Sequence, residues 1–331
     1  MDALIKTLAE AWGPPGYEHH IRDLIRAEVA NAADKITVDA LGNLICRVGD
    51  GPKRVLVSAH MDEIGLIVSH IDRQGYARFA SIGALLPATL LAARVRFENG
   101  AIGTIGVEHQ YSKRRELPDL PGFYIDISAG AEGNAPVGVG DPGAFVGEVF
   151  RRGERIIGKS LDNRLGCAVQ VEALRRVKQS GTPHSVYFVF SVQEEVGARG
   201  AGPAAYGVEP HLALVVDVTP CGDQPHGKEM AIRLGGGPAI KMRDEGLIVP
   251  PAVRDLLIAR AEEAGIPYQL EVLTGGGTDG RAIQAARAGV PTGAISLPLR
   301  YVHTRSETAD MGDVRAAVDL LAAALVGEVA L

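Results

Sequence analysis

Apolar residues recur at helical spacing from the start of the chain: Leu4, Ile5, Leu8 and Trp12 share one face, and Gly13-Pro14-Pro15-Gly16 ends the run. A second helix is predicted over residues 18–32, and residues 35–49 alternate as a hairpin. Residues 54–60, RVLVSAH, read as a buried strand ending at His60. The texture then changes. From about residue 66 to 157 the pattern is of short strands separated by Gly, Asn and Pro, as in LIVSHIDRQGYARFA and ARVRFENGAIGTIGV, with hardly a helical period among them. Beyond residue 158 helices and buried strands alternate again, with strands predicted at 184–193, 211–219, 268–273 and 291–297 and helices at 163–179, 251–265, 281–289 and from 314 to the end.

Alternating strands and helices predict an α/β fold, a mainly parallel mixed sheet flanked by helices. The β-rich stretch is then an inserted small all-β domain at 66–157, and the α/β domain is discontinuous, built from 1–65 and 158–331. Composition adds little to this picture. An apolar fraction of 46% with 22% charged residues is that of an ordinary globular chain. A net charge of −6 without a basic block argues against nucleic acid as a partner. No run approaches the roughly 20 apolar residues of a membrane span. The N-terminus MDALIKTLAEAWG carries Asp2 and Glu10 and no signal-like core, so a cytoplasmic location is expected. Cys46, Cys167 and Cys221 stand far apart and fit buried thiols in a reducing compartment.

The chemistry gathers at strand ends. His60 and Asp62 follow one buried strand, Glu194 and Glu195 another, Asp217 closes a third, His303 follows SLPLRY, and Asp162 precedes a helix. In open α/β sheets such positions converge beyond the carboxyl ends of the strands. Each has a plainer explanation: Asp162 as a helix N-cap, Asp217 as a turn residue, either histidine as a satisfied core or surface residue. The adjacent glutamates at the end of a buried strand are harder to explain without a cation. Two histidines and several carboxylates with no thiolate suit Zn²⁺, Co²⁺ or Mn²⁺. A pair of such ions would remove the repulsion between the glutamates, leaving one of them free to handle a proton.

Five blocks in order, SAHMDEIG, KSLDNRLG, SVQEEVGARG, VVDVTP and LRYVHTRSE, resemble the glutamyl/tetrahedral aminopeptidases, a family of dinuclear metallopeptidases whose members also go under cellulase-like or endoglucanase-like names. The blocks YIDISAGAEGNAPVGVGD and GGGTDGRAIQ are similar to others of that family, and the resemblance covers nearly the whole chain. It implies a zinc-peptidase-like sheet and two divalent metal ions per subunit, zinc first, cobalt or manganese otherwise. His60 and Asp217 would hold one ion, Glu195 and His303 the other, and Asp162 would bridge them. Glu194 would be the general base acting on a water shared by the metals, and Asp62 would accept a hydrogen bond from the far nitrogen of His60. The implied activity is removal of N-terminal residues from short peptides. The insertion would mediate dimerisation and dimers would build a hollow particle, a dodecamer. A deacylase or carboxypeptidase of the same broad fold, or a non-catalytic metal-binding assembly protein, are the alternatives.

The sequence departs from the family at Thr304, where Ser is commoner, at SIGALLPATLL, which lacks a Trp, and at Arg281, where a small residue is usual. Gly275, Gly277 and Gly280 spell G-x-G-x-x-G, but no acidic residue follows about 20 positions on, so a glycine-lined wall beside the metals is expected, with Asp279 capping the next helix. No G-x-S-x-G elbow is present, which argues against a serine hydrolase. Neighbouring glutamates and a single Trp argue against a glycosidase.

Overall fold

The computed structural model describes residues 1–110, 117–127, 137–227 and 229–329. Four strands form the centre of an 11-stranded sheet, in the spatial order Ser185–Ser191, Arg54–His60, Leu212–Pro220 and Thr292–Arg300, all parallel. Their residues are buried almost without interruption, the signature of strands covered on both faces. Val, Leu, Ile and Phe supply that burial, so the runs stay extended because β-branched and aromatic side chains pack well on a pleated surface. Antiparallel strands extend both sides. Leu44–Val48 and Lys35–Val38 form the expected hairpin, and Glu307–Asp310, Arg155–Gly158 and Phe150–Arg152 continue the other edge. Ala239–Arg243, absent from the sequence reading, pairs with both Thr292–Arg300 and Gln269–Val272.

The helices form two groups. Leu161–Ser180 packs on Met311–Val326, on Asp2–Glu10 and on the central strands, while Ala201–Val208 packs with Gly280–Gln284. One continuous apolar core joins them, from Ile5 and Leu8 through Val57, Phe188 and Leu214 to Leu321.

The β-rich stretch is a separate closed barrel with its own core. Its strands run Gly65–Ile71, Ala77–Ile82, Phe123–Asp126, Ile102–Val107, Arg94–Phe97 and Pro142–Phe145, the last returning to the first. Leu66, Val68, Phe97, Phe123 and Ile125 fill the interior. Closure removes the free edges that short alternating strands would otherwise expose. Phe150–Arg152 and Arg155–Gly158, at the end of the stretch read as insertion, pair at the edge of the large sheet rather than in the barrel. In the block YIDISAGAEGNAPVGVGD, residues 128–136 lie outside the described residues.

Candidate metal centre

Parallel pairing brings the strand ends together. Ser191 lies level with His60 across the first pair of central strands, and Asp217 stands two residues beyond Val215, which pairs with Ser58. The carboxyl ends of three strands therefore present His60, the Glu194–Glu195 segment and Asp217 to one point. His303 arrives from the turn after Thr292–Arg300, and Asp162 from the start of the helix Leu161–Ser180.

Asp162 occupies the middle. Its Oδ1 lies 3.2 Å from His60 Nε2 and its Oδ2 lies 3.3 Å from His303 Nε2. His60 Nε2 is also 3.7 Å from Asp217 Oδ1, and His303 Nε2 is 3.3 Å from Glu195 Oε2. Two triads result, His60–Asp162–Asp217 and Asp162–Glu195–His303, each with its candidate ligand atoms within 4.8 Å of one another. The five residues expected as ligands thus meet at one place. Glu194 stands beside them, half-buried, its carboxylate without a hydrogen bond or ion pair among the described residues.

The cluster carries more negative than positive charge, and its titration reflects that. Burial opposes a charge on His303, but hydrogen bonds to Asp162 and Glu195 outweigh it and raise the imidazole to about 11. His60 behaves alike, raised by Asp162 and Asp62 against its burial. Asp162 is lowered because the two imidazoles overcome the burial that would raise it. Glu194 and Asp217 are pushed well above the carboxylate range, chiefly by burial and then by neighbouring carboxylates. Such an excess of buried carboxylate is chemistry that suits divalent cations. The donors fit divalent ions: imidazole nitrogens, carboxylates and no thiolate, with Glu195 Oε1 buried and unpartnered.

Buried carboxylates strap the loops that carry these groups. Asp62 accepts the N–H of Glu194 at 3.0 Å and of Glu195 at 3.1 Å. His60 Nδ1 sits 3.2 Å from the Asp62 backbone carbonyl and 3.6 Å from its Oδ1, so the main chain of Asp62 is the nearer partner of the imidazole. Glu307, which the sequence reading passed over, does for the other side what Asp62 does here: it accepts the N–H of Asp162 at 3.0 Å and of His303 at 2.8 Å. That bond holds His303 in a left-handed conformation (φ +63°), unusual for a residue with a Cβ. The only sequence signal for Glu307 is its place at the end of LRYVHTRSE. Asp279 stands at the N-cap position of Gly280–Gln284 but makes no side-chain cap. Its carboxylate accepts from the hydroxyls of Ser58, at 2.6 Å, and Ser191 instead. The capping expectation is corrected: two strand hydroxyls beneath the centre outcompete the helix amides.

The centre opens into a cavity of about 660 Å³. Leu86, Val218, Leu273 and Val302 contribute apolar walls, Gly275–Gly277 the expected glycine wall, and Arg281 a cation.

A closed barrel inserted into a zinc-peptidase-like α/β sheet, with twin His–carboxylate triads at the strand ends, defines the class: a peptide hydrolase of the aminopeptidase kind. Residues 42–320 match the family described as M42 glutamyl aminopeptidase, and the chain belongs to that family. Among its relatives, the lysyl aminopeptidase of Pyrococcus furiosus is 36% identical over 338 residues, covering 97% of this chain and 96% of that one. The aminopeptidase APDkam598 from the archaeon Desulfurococcus kamchatkensis superposes with a TM-score of 0.92 at 37% identity, covering 99% of this chain and 94% of the other. The Pyrococcus horikoshii TET1 peptidase, described as assembling into a tetrahedron or a large octahedral shell, superposes with a TM-score of 0.86 at 32% identity, over 97% and 98% of the two chains. No helix among the described residues is long and apolar enough to cross a membrane.

Proposed function

We propose that the protein is a dinuclear-metal aminopeptidase that removes N-terminal residues from short peptides, with Glu194 as general base. The observation that carries this reading is a free, half-buried carboxylate, Glu194, beside two His–carboxylate triads that share Asp162. His60 and Asp217 would hold one ion, Glu195 and His303 the other, with Asp162 common to both. When bound, zinc or another divalent ion supplies Lewis acidity toward water and toward the scissile carbonyl.

The chain's own residues do the rest. Glu194 takes a proton from the attacking water and returns it to the leaving amine, a role open to a carboxylate that lines the cavity beside the ligands. Asp62 fixes the two successive amides of Glu194 and Glu195, so the base and the neighbouring ligand keep different directions. The apolar cavity walls exclude water from the residue being removed. Self-association through the barrel into dimers and a dodecamer belongs to the same proposal. It is supported by likeness to the P. horikoshii peptidase and is checked by light scattering of the purified chain.

Glu194→Gln is expected to retain the metal content of the wild type, read by elemental analysis, and to lose at least about 10²-fold in turnover of an aminoacyl anilide. Full turnover in that variant refutes Glu194 as base. Hydrolysis of an N-acetylated peptide as fast as its free-amine form would point to a deacylase instead.

A further inference from the structure

Apart from the residues that line the catalytic cavity, a second group of side chains able to bind metal comes together where the barrel meets the α/β unit. His19 and His20 open the helix His19–Val29, and Glu98 lies in the turn after the barrel strand Arg94–Phe97. One ligand atom from each lies within 4.8 Å of the others. None of the three lines the cavity.

The geometry suits a small divalent ion. His19 Nε2 and Glu98 Oε1 are 3.3 Å apart, which matches the roughly 3.3 Å between two ligands bonded at about 2.0–2.1 Å to one tetrahedral ion. The two imidazoles lie with ring centres 4.2 Å apart, inclined by 39°. The arrangement is braced. Trp12 meets the ring of His20 edge-on at 5.8 Å, and its own indole N–H donates to the Arg96 carbonyl at 3.0 Å, two residues before Glu98. Backbone bonds between Phe97, Gly100 and Ala101 close the turn that presents Glu98. His20 and Glu98 are exposed and His19 partly so, which leaves room for water to complete the coordination.

We propose that His19, His20 and Glu98 form an accessory site for a divalent transition-metal ion, zinc in the first instance, that clips the barrel to the second helix. Two imidazoles and one carboxylate select zinc, nickel or copper over magnesium and calcium. Its ligands come from two units of the fold, so an ion here would couple their relative placement.

The test uses the full-length chain, freed of metal by chelation, with Ni²⁺ and Zn²⁺ as probes. Trp12 is the single tryptophan, and it packs on one of the proposed ligands, so its fluorescence reports locally. Ni²⁺ is expected to quench Trp12 saturably, and chelator to reverse the quench. In the double variant His19→Ala/His20→Ala the quench should disappear and equilibrium dialysis should find one Zn²⁺ fewer per chain. Glu98→Gln, a near-isosteric surface change, should weaken the same quench roughly tenfold or more in Ni²⁺ concentration. Aminoacyl-anilide hydrolysis, measured on metal-replete protein, should match the wild type in both variants. Equal zinc content and equal quenching in wild type and variants would overturn the proposal, leaving a ring stack and an ion pair. The count is a difference between proteins with the same catalytic centre, so it holds however many ions that centre binds.

Discussion

Asp62→Asn is the most direct probe of how the centre is held. Asp62 is fully buried, and its two oxygens accept consecutive amides of Glu194 and Glu195 at 3.0 and 3.1 Å. Asparagine keeps one acceptor and turns the other position into an NH₂ group facing an N–H. One hydrogen bond to a charged acceptor is lost, worth about 1.5–3 kcal/mol, and a buried amide is left unpaired. An opposing effect must be removed: Asp62 repels Glu18, whose carboxyl burial and that repulsion together raise to about 7. Working at pH 6, where Glu18 is mostly protonated, suppresses that relief. The expected result is a melting midpoint lower by several degrees, at about 2–4 °C per kcal/mol for larger domains. A displacement of the base by about 1 Å costs on the order of 10²-fold in rate, so kcat should fall by about that factor with KM little changed. Thermal unfolding and steady-state anilide kinetics, run on the same preparations with metal content checked, measure both. A variant with wild-type midpoint and wild-type kcat refutes the claim that Asp62 holds the two glutamates.

Glu18 itself predicts a pH dependence. Its folded pKa of about 7 exceeds the ordinary 4.5, so the folded state holds the extra proton between those values, and the stability it contributes at low pH is lost as pH rises through about 7. The difference corresponds to about 3 kcal/mol at most. Glu18→Gln can still accept from the Gly16 and Gln193 amides, so denaturant titrations should show it gaining stability over the wild type from pH 5 to pH 8, and a flat difference would contradict the shift. Chelation is expected to abolish peptidase activity, with Zn²⁺, Co²⁺ or Mn²⁺ restoring it. Each ion should raise stability by about 2.7 kcal/mol at a hundredfold excess over its Kd, an increment smaller in His303→Ala, and activity that survives exhaustive chelation would count against the metal centre. Arg281 brings a guanidinium to the cavity lining among the described residues, so Arg281→Ala should change the ratio of rates on acidic and neutral aminoacyl anilides while leaving metal content unchanged. An unchanged ratio would remove Arg281 from substrate recognition.

Local pattern in the chain carried most of the architecture. Runs such as RVLVSAH and LALVVDV could bury both faces only inside a helix-covered sheet, and the alternation after residue 66 required a separate β module. The polar residues that end those runs were legible too, because a charge at the end of a buried strand is conspicuous against its neighbours. Tertiary structure decided what no period encodes. Strand order and register set Asp162 between two histidines distant in sequence, and pairing across the sheet placed Phe150–Gly158 at its edge rather than in the barrel. Glu307 read as an unremarkable acidic residue and Asp279 as a helix cap, since a carboxylate that accepts buried amides or hydroxyls has the same letter as one in solvent or at a cap. His19 and Glu98 illustrate the same limit: only the docking of barrel on helix brings them to 3.3 Å. Hydrophobic periodicity is a local property, so the sequence fixes which segments are buried; the convergence of polar groups depends on how those segments pack, which is long-range.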